Sequence, residues 1–550
     1  MGLNFGGPSN FPQGRTDTTF VLSDTLTHLV GRHSIKLGGE WRRFKNHNFT
    51  NDTGNFGYAS LSDFFVGQGN GFAITLGDRA SDIVQQAAGA FLTDSFRASS
   101  SLTLDLGVRW DMFMAPTDSD NRFVVFDAAR SALVRVGSGV DHPYPTSNDV
   151  EPRVGFVWDP GKNGKTIIRG AYAIQVDQPV TNTITGLTSN PPLATPLSVQ
   201  GAVRLDSALT AARGVGLSPN TIDPDFRGAR VQSFNFNIQR ELPGGIGMMV
   251  GYFGSRGKDL RLSRNINQFV GGVRPFARLA ADSSILPGAT LGNITQIEST
   301  GKSWYDGLWV TANKRLAKGF QFNASYTFSK SQDYNSLNSQ GQIAQNAFDI
   351  ANSKGPSDFD ARHRFVVNAI WELPFKGNVL VEGWQLGVIS QGQTGNPINV
   401  VTNINTFTGV ATLRPDLVGD PRIVGDPNQW FANSVCDPRI AGSCTSSSVF
   451  ALPVSASGVF HFGNLPRNAI LGPTFYNTDL SLIKTTKLGG SARLQLRVEV
   501  FDLFDHANFG QPGRVATPGS TSFGVITNTR FPTGDSGSSR QIQFAAKILF

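Results

Sequence analysis

GFQFNASYTFS, residues 319–329, reads with a period of two. Phe320, Phe322, Ala324, Tyr326 and Phe328 fall on one side, and Gln321, Asn323, Ser325, Thr327 and Ser329 on the other. A helix repeats every 3.6 residues and would scatter both sets around its circumference, so the alternation specifies a strand with one apolar and one polar face. The pattern recurs in LTLDLGVRWDM (102–112), where Leu102, Leu104, Leu106, Val108, Trp110 and Met112 alternate with Thr103, Asp105, Gly107, Arg109 and Asp111. In 233–239, Phe234, Phe236 and Ile238 oppose Ser233, Asn235, Asn237 and Gln239. Toward the end, Leu494, Leu496, Val498 and Val500 oppose Arg493, Gln495, Arg497 and Glu499, and Ile542, Phe544, Ala546, Ile548 and Phe550 oppose Gln541, Gln543 and Lys547.

The lengths are as informative as the period. Soluble strands usually have about five or six residues, whereas a tilted strand of about nine to eleven crosses a bilayer. The pattern predicts fifteen long strands near 17–29, 34–46, 84–97, 102–113, 151–159, 165–176, 230–242, 246–255, 303–316, 319–331, 363–373, 379–391, 474–487, 491–504 and 539–550. Every odd strand leads into the next through a short turn: VGRH, ASSS, PGKNG, PGG, AKG, FKGN and LGG. Every even strand is followed by a long polar segment: 47–83, 114–150, 177–229, 256–302, 332–362, 392–473 and 505–538. This strict alternation puts all long loops at one end, the signature of an outer-membrane β-barrel rather than a soluble sandwich. The fold class is thus all-β, a transmembrane antiparallel barrel of about fifteen or sixteen strands, with residues 1–550 as one domain. Trp41, Phe44, Trp110, Phe113, Trp158, Tyr252, Trp304, Trp371, Phe501 and Phe504, near strand ends, are read together as interfacial girdles.

Composition agrees. Gly is 61 and Phe 41 of 550 residues, Met only 5, and charged residues make up 16%. The net charge of +7 is spread along the chain without a basic block, so nucleic acid is not a partner. There is no run of eighteen apolar residues for a transmembrane helix, and MGLNFGGPSNFPQGR has no basic segment leading into an apolar core, so no signal peptide is read there. Bacterial single-chain barrels usually have an even strand count. Fifteen is odd, and residues 1–15 fall on the long-loop side, so at least one further strand is expected upstream.

A family resemblance now rests on several blocks in one order: GRHSIKLGGEWRRF (31–44), SLTLDLGVRWDMF (101–113), QSFNFNIQRELPGGIGMMVGYFGSRGKDL (232–260) and YDGLWVTANKRLAKGFQFNASYTFSKSQD (305–333). SDFDARHRFVVNAIWELPF (357–375), GWQLGVISQGQTGNPINV (383–400), DLSLIKTTKLGGSARLQLRVEVFDLFDHANFGQP (479–512) and RQIQFAAKILF (540–550) continue it. Over nearly its whole length the chain resembles the C-terminal barrel of Oar-like TonB-dependent outer-membrane receptors. These are the type abundant in Acidobacteria, with an N-terminal carboxypeptidase-regulatory-like domain. The resemblance implies a barrel of about twenty-two strands filled by a plug and energised through TonB. It implies uptake of a bulky nutrient, of the iron-siderophore or glycan class, with long loops extracellular and the C-terminus periplasmic. The signal peptide, regulatory-like domain, TonB box, plug and first strands of the pattern are missing from these residues, so contact with the TonB complex is expected only through a plug outside them. A passive porin-like channel and a surface adhesion or structural protein are the alternatives.

The remaining candidates are few. Gln321, Asn323, Ser325 and Thr327, with Arg493, Gln495, Arg497 and Glu499, are expected to face the lumen. Outer-membrane lipid is the partner expected outside. By the same resemblance, Ile542, Phe544, Ala546, Ile548 and Phe550 form the signal read by the barrel assembly machinery. Cys436 and Cys444 share one loop, which suits a disulfide formed in an oxidising compartment, two unpaired thiols being the alternative. Asp358, Asp360, Arg362 and His363 read as pairing charges that organise a loop-to-strand junction, rather than as a cation or substrate site. Asp118 with Asp120, and Asp223 with Asp225, lack the EF-hand pattern. Ser481-Leu-Ile-Lys484 lacks the partner motifs of an acyl-enzyme, Gly67-Gln-Gly69-Asn-Gly71 opens no helix, and the seven histidines show no zinc spacing. No catalytic residue, metal or cofactor is expected.

Overall fold

Alternating segments of this length satisfy their backbones only by pairing laterally, and they do so without skipping a neighbour. The computed structural model describes residues 10–58, 61–336, 344–402, 404, 413–530 and 539–550. Fifteen long strands follow one another: β1 (Gln13–Val30), β2 (His33–Thr50), β3 (Ser81–Arg97), β4 (Leu102–Phe113), β5 (Ser147–Trp158), β6 (Thr166–Val176), β7 (Arg230–Leu242), β8 (Ile246–Asn265), β9 (Thr295–Ala317), β10 (Phe320–Asp333), β11 (His363–Glu372), β12 (Trp384–Gln393), β13 (Phe475–Gly489), β14 (Ala492–Phe501) and β15 (Gln541–Leu549). Each pairs antiparallel with the next in one sheet. Among the described residues β1 and β15 do not pair with each other. An odd number of antiparallel strands makes these two run in the same direction, from the loop end to the turn end.

The register keeps the two faces apart across the whole sheet. Asn323 lies opposite Asn313 and Asn368, and Phe322 opposite Lys314 and Ala369. Large apolar residues of one face are exposed, among them Leu22, Leu106, Phe236, Leu308, Phe328 and Phe544. Polar residues of the other include buried Gln85, Asp111, Glu151, Asn237 and Asn477. A sheet that exposes its apolar side and buries its polar side is inverted relative to a soluble protein, and hydrocarbon is the solvent that makes this arrangement stable.

The apolar band has marked limits. Along β9, Lys314 donates from its Nζ to Gly244 O at 2.8 Å at the turn end. Eight residues away, about 26 Å of strand, Asp306 binds Arg256 at 2.8 Å and accepts from the Tyr252 hydroxyl. Six of the ten girdle aromatics lie on this face: Trp41, Trp110, Trp158, Tyr252, Trp304 and Trp371. Phe44, Phe113 and Phe501 do not. The pairings Phe44–Gln85, Phe113–Ala87 and Phe501–Gln541 put them on the polar face, because their parity, not their nearness to a strand end, sets their side.

Two boundaries differ from the reading by period. β8 and β9 run well beyond the membrane-length segment, and the alternation is lost where the pairing shifts between Gly257 and Leu260. The turn read as FKGN spans 373–383, because the Asn378 side chain accepts from the amides of Leu380 (3.0 Å) and Val381 (3.2 Å) and curls VLV out of the strand. The long loops are more than polar tethers. They carry the buried apolar cores of the molecule, around Phe126, Leu133 and Leu291, around Phe123, Ile184 and Phe226, and around Phe431, Phe450 and Phe523. The sheet is held by pairing and its lipid-type face, while the loops are held as small soluble lobes.

Opposite facing of neighbours in β10 is directly measurable. Phe322→Arg at mid-span is expected to cost about 2–4 kcal/mol in refolding into bilayers, and Gln321→Arg close to nothing. With single cysteines, position 321 reacts with a water-soluble thiol reagent and position 322 is shielded.

Candidate functional site

The polar face carries its charges in pairs two residues apart, which in a strand means the same side. On β2, β4 and β5 these are Glu40 with Arg42, Arg109 with Asp111, and Glu151 with Arg153. The ladder sets Glu151 opposite Arg109 and Arg153 opposite Gly107. Arg109 is the hub. Its Nε and Nη2 fork onto Asp111 at 2.5 and 2.6 Å, and Nη2 also reaches Glu40 at 2.5 Å. Arg153 binds Glu151 at 3.4 Å, and Arg42 approaches Glu40 at 3.7 Å. Toward the loops, Arg230 binds Asp149 at 2.5 Å. The strand between β2 and β4 makes room with Gly89, where a Cβ would stand 2.7 Å from Arg109 Nη2 and collide with Asp111. Glu40, Arg42, Arg109, Asp111, Glu151 and Arg153 border a cavity of about 880 Å³ that also reaches Gln175 and Gln178. Buried Glu151 keeps its Oε1 without a hydrogen-bond partner there. The arrangement offers both signs of charge and open hydrogen-bonding positions to a polar guest, and no pairing of a nucleophile with a base.

The sequence-predicted residues are distributed as follows. Gln321, Asn323, Ser325 and Thr327 share the polar face of β10, with Asn323 donating to Asn368 at 3.2 Å. Arg493, Gln495, Arg497 and Glu499 share that face on β14, where Arg497 reaches Glu499 at 3.4 Å and Gln495 at 3.3 Å. Four strand positions separate the two groups, so they line one face without converging on one site. Ile542, Phe544, Ala546 and Ile548 lie together on the apolar face of β15, and Phe550 follows, 93% exposed. Cys436 and Cys444 form a disulfide in the lobe around Phe431 and Phe450. The charge cluster on β2, β4 and β5 was missed as a site. Its signal was available in E-x-R, R-x-D and E-x-R, each within an alternating segment.

The DFDARH cluster organises a junction. Arg467, itself buried, binds Asp333 at 2.7 Å and Asp358 at 3.2 Å, and Asn468 donates to Asp358 at 2.6 Å. Asp360 accepts from the Ser331 amide at 2.7 Å. Nearby, burial and the charge of Arg467 push the Arg414 guanidinium down to about 10. Carbonyl oxygens of Leu465 (2.7 Å) and Asn352 (3.2 Å) hold it. Asp118 spends its oxygens on the amides of Asp82, Asp120 and Arg122 at 2.9–3.1 Å, which builds a loop corner.

A family model described as outer membrane beta barrel domain matches residues 2–543. Among solved structures, the chain is similar to the outer membrane transporter YddB from Escherichia coli, with a TM-score of 0.52 at 10% identity, covering 97% of this chain and 54% of that one. It is also similar to the ferripyoverdine receptor of the outer membrane of Pseudomonas aeruginosa, with a TM-score of 0.47 at 12% identity, covering 99% and 51%. The FrpB iron transporter from Neisseria meningitidis has a TM-score of 0.45 at 10% identity, covering 97% and 55%. The chain thus spans about half the length of these proteins. At 10% identity the likeness to YddB is one of fold. No curated protein matches the chain.

Arg109→Met leaves Glu40 and Asp111 facing each other across a half-buried site, and is expected to cost about 3 kcal/mol. Urea titration of the heat-modifiable band would register it, with Lys36→Met on the same face as the neutral control. For the loop lobe, mass spectrometry of exported protein alkylated without reduction should find Cys436 and Cys444 unmodified. Two alkylated cysteines would contradict the disulfide.

Proposed function

The chain belongs to the outer membrane β-barrel domain family, and on that premise we propose that it forms the barrel wall of a TonB-dependent, Oar-like transporter for a bulky nutrient. The family is one of outer-membrane barrels, not of enzymes. The observation that carries the proposal is the sheet itself. Its fifteen strands present a charged face with an 880 Å³ cavity, and folded lobes crowd one end only. A passive pore for small solutes has no need of loop lobes with cores as large as those around Leu291 and Phe450. A receptor that selects a bulky guest does, because selection needs rigid contact surface. In this reading the polar face, with Gln321, Asn323, Ser325, Thr327, Arg493, Gln495, Arg497 and Glu499, lines the lumen. The long loops are extracellular, and the turns and C-terminus periplasmic.

The two free edges belong to the same proposal. Among the described residues β1 and β15 run the same way and do not pair, so antiparallel closure takes an odd number of further strands. Hydrocarbon leaves each unpaired backbone group unsatisfied at several kcal/mol. We therefore assign the closing strands, and the plug that would contact TonB, to polypeptide beyond these 550 residues. The nutrient is of the iron-chelate or glycan class, carried over from the family resemblance.

Two measurements test this together. Residues 1–550 alone, reconstituted in liposomes, should aggregate or leak without selectivity. The gene in its full genomic frame should support uptake that stops when TonB is deleted. A closed, selective barrel from 1–550 whose flux ignores TonB would establish the porin reading instead.

A further inference from the structure

We propose that the apolar face carries a specific site for one anionic phospholipid, at the turn end of β12 to β15. The proposal rests on reading that face as the lipid-facing one. Its floor is set by register: Trp384, Lys484, Leu496 and Ala546 stand side by side on four strands, and Leu386, Leu482, Val498 and Phe544 form the next row. Its wall is the connection 373–383, which leaves the sheet instead of turning tightly. Two bonds pin that wall. The Trp384 indole N–H donates to Leu380 O at 2.9 Å, and Lys484 Nζ donates to Glu382 O. Between wall and floor lies a crevice of about 620 Å³, lined by Val379, Leu380, Leu482, Leu496 and Phe544. Leu380 is 78% and Phe544 76% exposed, a concave apolar surface that none of the described residues covers.

Lys484 selects the occupant. It is 8% exposed and stands where the period calls for an apolar residue, after Leu480 and Leu482. Its Nζ lies 5.4 Å from the centroid of the Trp384 ring. Among the described residues no carboxylate comes within 4.0 Å of it, and Glu382 offers its carbonyl instead. A carbonyl and a ring face are electron-rich but neutral, so a buried ammonium keeps an uncompensated charge. A molecule with an anionic head and an apolar chain satisfies both halves of the site at once. Free phosphate would satisfy only the lysine, and a hydrocarbon only the crevice. In a bilayer, the molecule with that chemistry at the depth of the turns is an anionic glycerophospholipid.

The test uses the protein in its full natural polypeptide, extracted from outer membranes, exchanged into mild detergent and titrated with phosphatidylglycerol or phosphatidylcholine. Bound lipids are counted by native mass spectrometry, and folding is checked by heat modifiability. The expectation is one retained phosphatidylglycerol, about tenfold tighter than phosphatidylcholine. Lys484→Gln should erase the preference, Lys484→Arg should keep it, and Lys487→Gln, on the polar face, should leave it unchanged. The double change Val379→Ser and Leu380→Ser should release both lipids. Equal retention of the two lipids by the natural protein overturns the proposal, even if a variant fails to fold. So does a preference that survives Lys484→Gln, or displacement of phosphatidylglycerol by millimolar inorganic phosphate. Retention of neither lipid by the natural protein also overturns the site, whereas reaction of a cysteine at position 322 with a water-soluble thiol reagent would overturn the lipid-facing reading beneath it.

Discussion

A backbone amide in hydrocarbon has no water to turn to, and the rest of this structure depends on that constraint. Each N–H and C=O of a spanning segment must find a partner on a neighbouring segment. Fifteen strands therefore pair in unbroken chain order, and each ladder fixes the face of every side chain. A slip of one residue would turn Phe320, Phe322 and Phe328 to the polar side and Asn323 and Ser325 to the apolar side, which is why the register is so strongly specified. The same constraint gives the free edges of β1 and β15 their meaning, since an edge is tolerable in water and costly in a membrane.

Once the register is set, the polar face inherits a problem of its own. Charges taken out of bulk water must be paired, and β2, β4 and β5 do this along each strand at alternate residues and, through Arg109, across strands as well. Arg109 serves acids on two strands, Asp111 and Glu40, and Gly89 leaves the space through which it does so. The apolar face places several of its polar groups at the limits of the band, as with Asp306, Arg256 and Tyr252. Lys484 stands at the turn end, tucked beneath a connection part of which the sequence pattern assigned to a strand.

Much of this was legible in the sequence. The fifteen strands, the two kinds of connection and the facing of Gln321 against Phe322 all follow from a period of two sustained over membrane-length segments. What was not legible has definite causes. The girdle reading erred at Phe44, Phe113 and Phe501, because nearness to a strand end says nothing about parity. The strand start read at 379 falls at Trp384, because one asparagine side chain competed successfully for backbone amides. The loops read as polar, because their core residues, such as Phe126 with Leu291 or Phe431 with Phe523, are scattered without period and meet only in space.

The sequence by itself determined the number of strands, their two-sidedness and the end at which the long loops gather, since these are local properties of spacing and length. It also contained the charge pairs of β2, β4 and β5, each visible as alternate residues of opposite sign. Only the tertiary structure decided which pairs meet. Cross-strand register brings Arg109 to Glu40 across sixty-nine positions of chain, and loop packing brings Arg467 to Asp333 across 134. That β1 and β15 are two edges that run the same way and do not pair among the described residues is likewise a property of the assembled sheet. Periodicity places a side chain on a face; hydrogen bonding between strands chooses its neighbour.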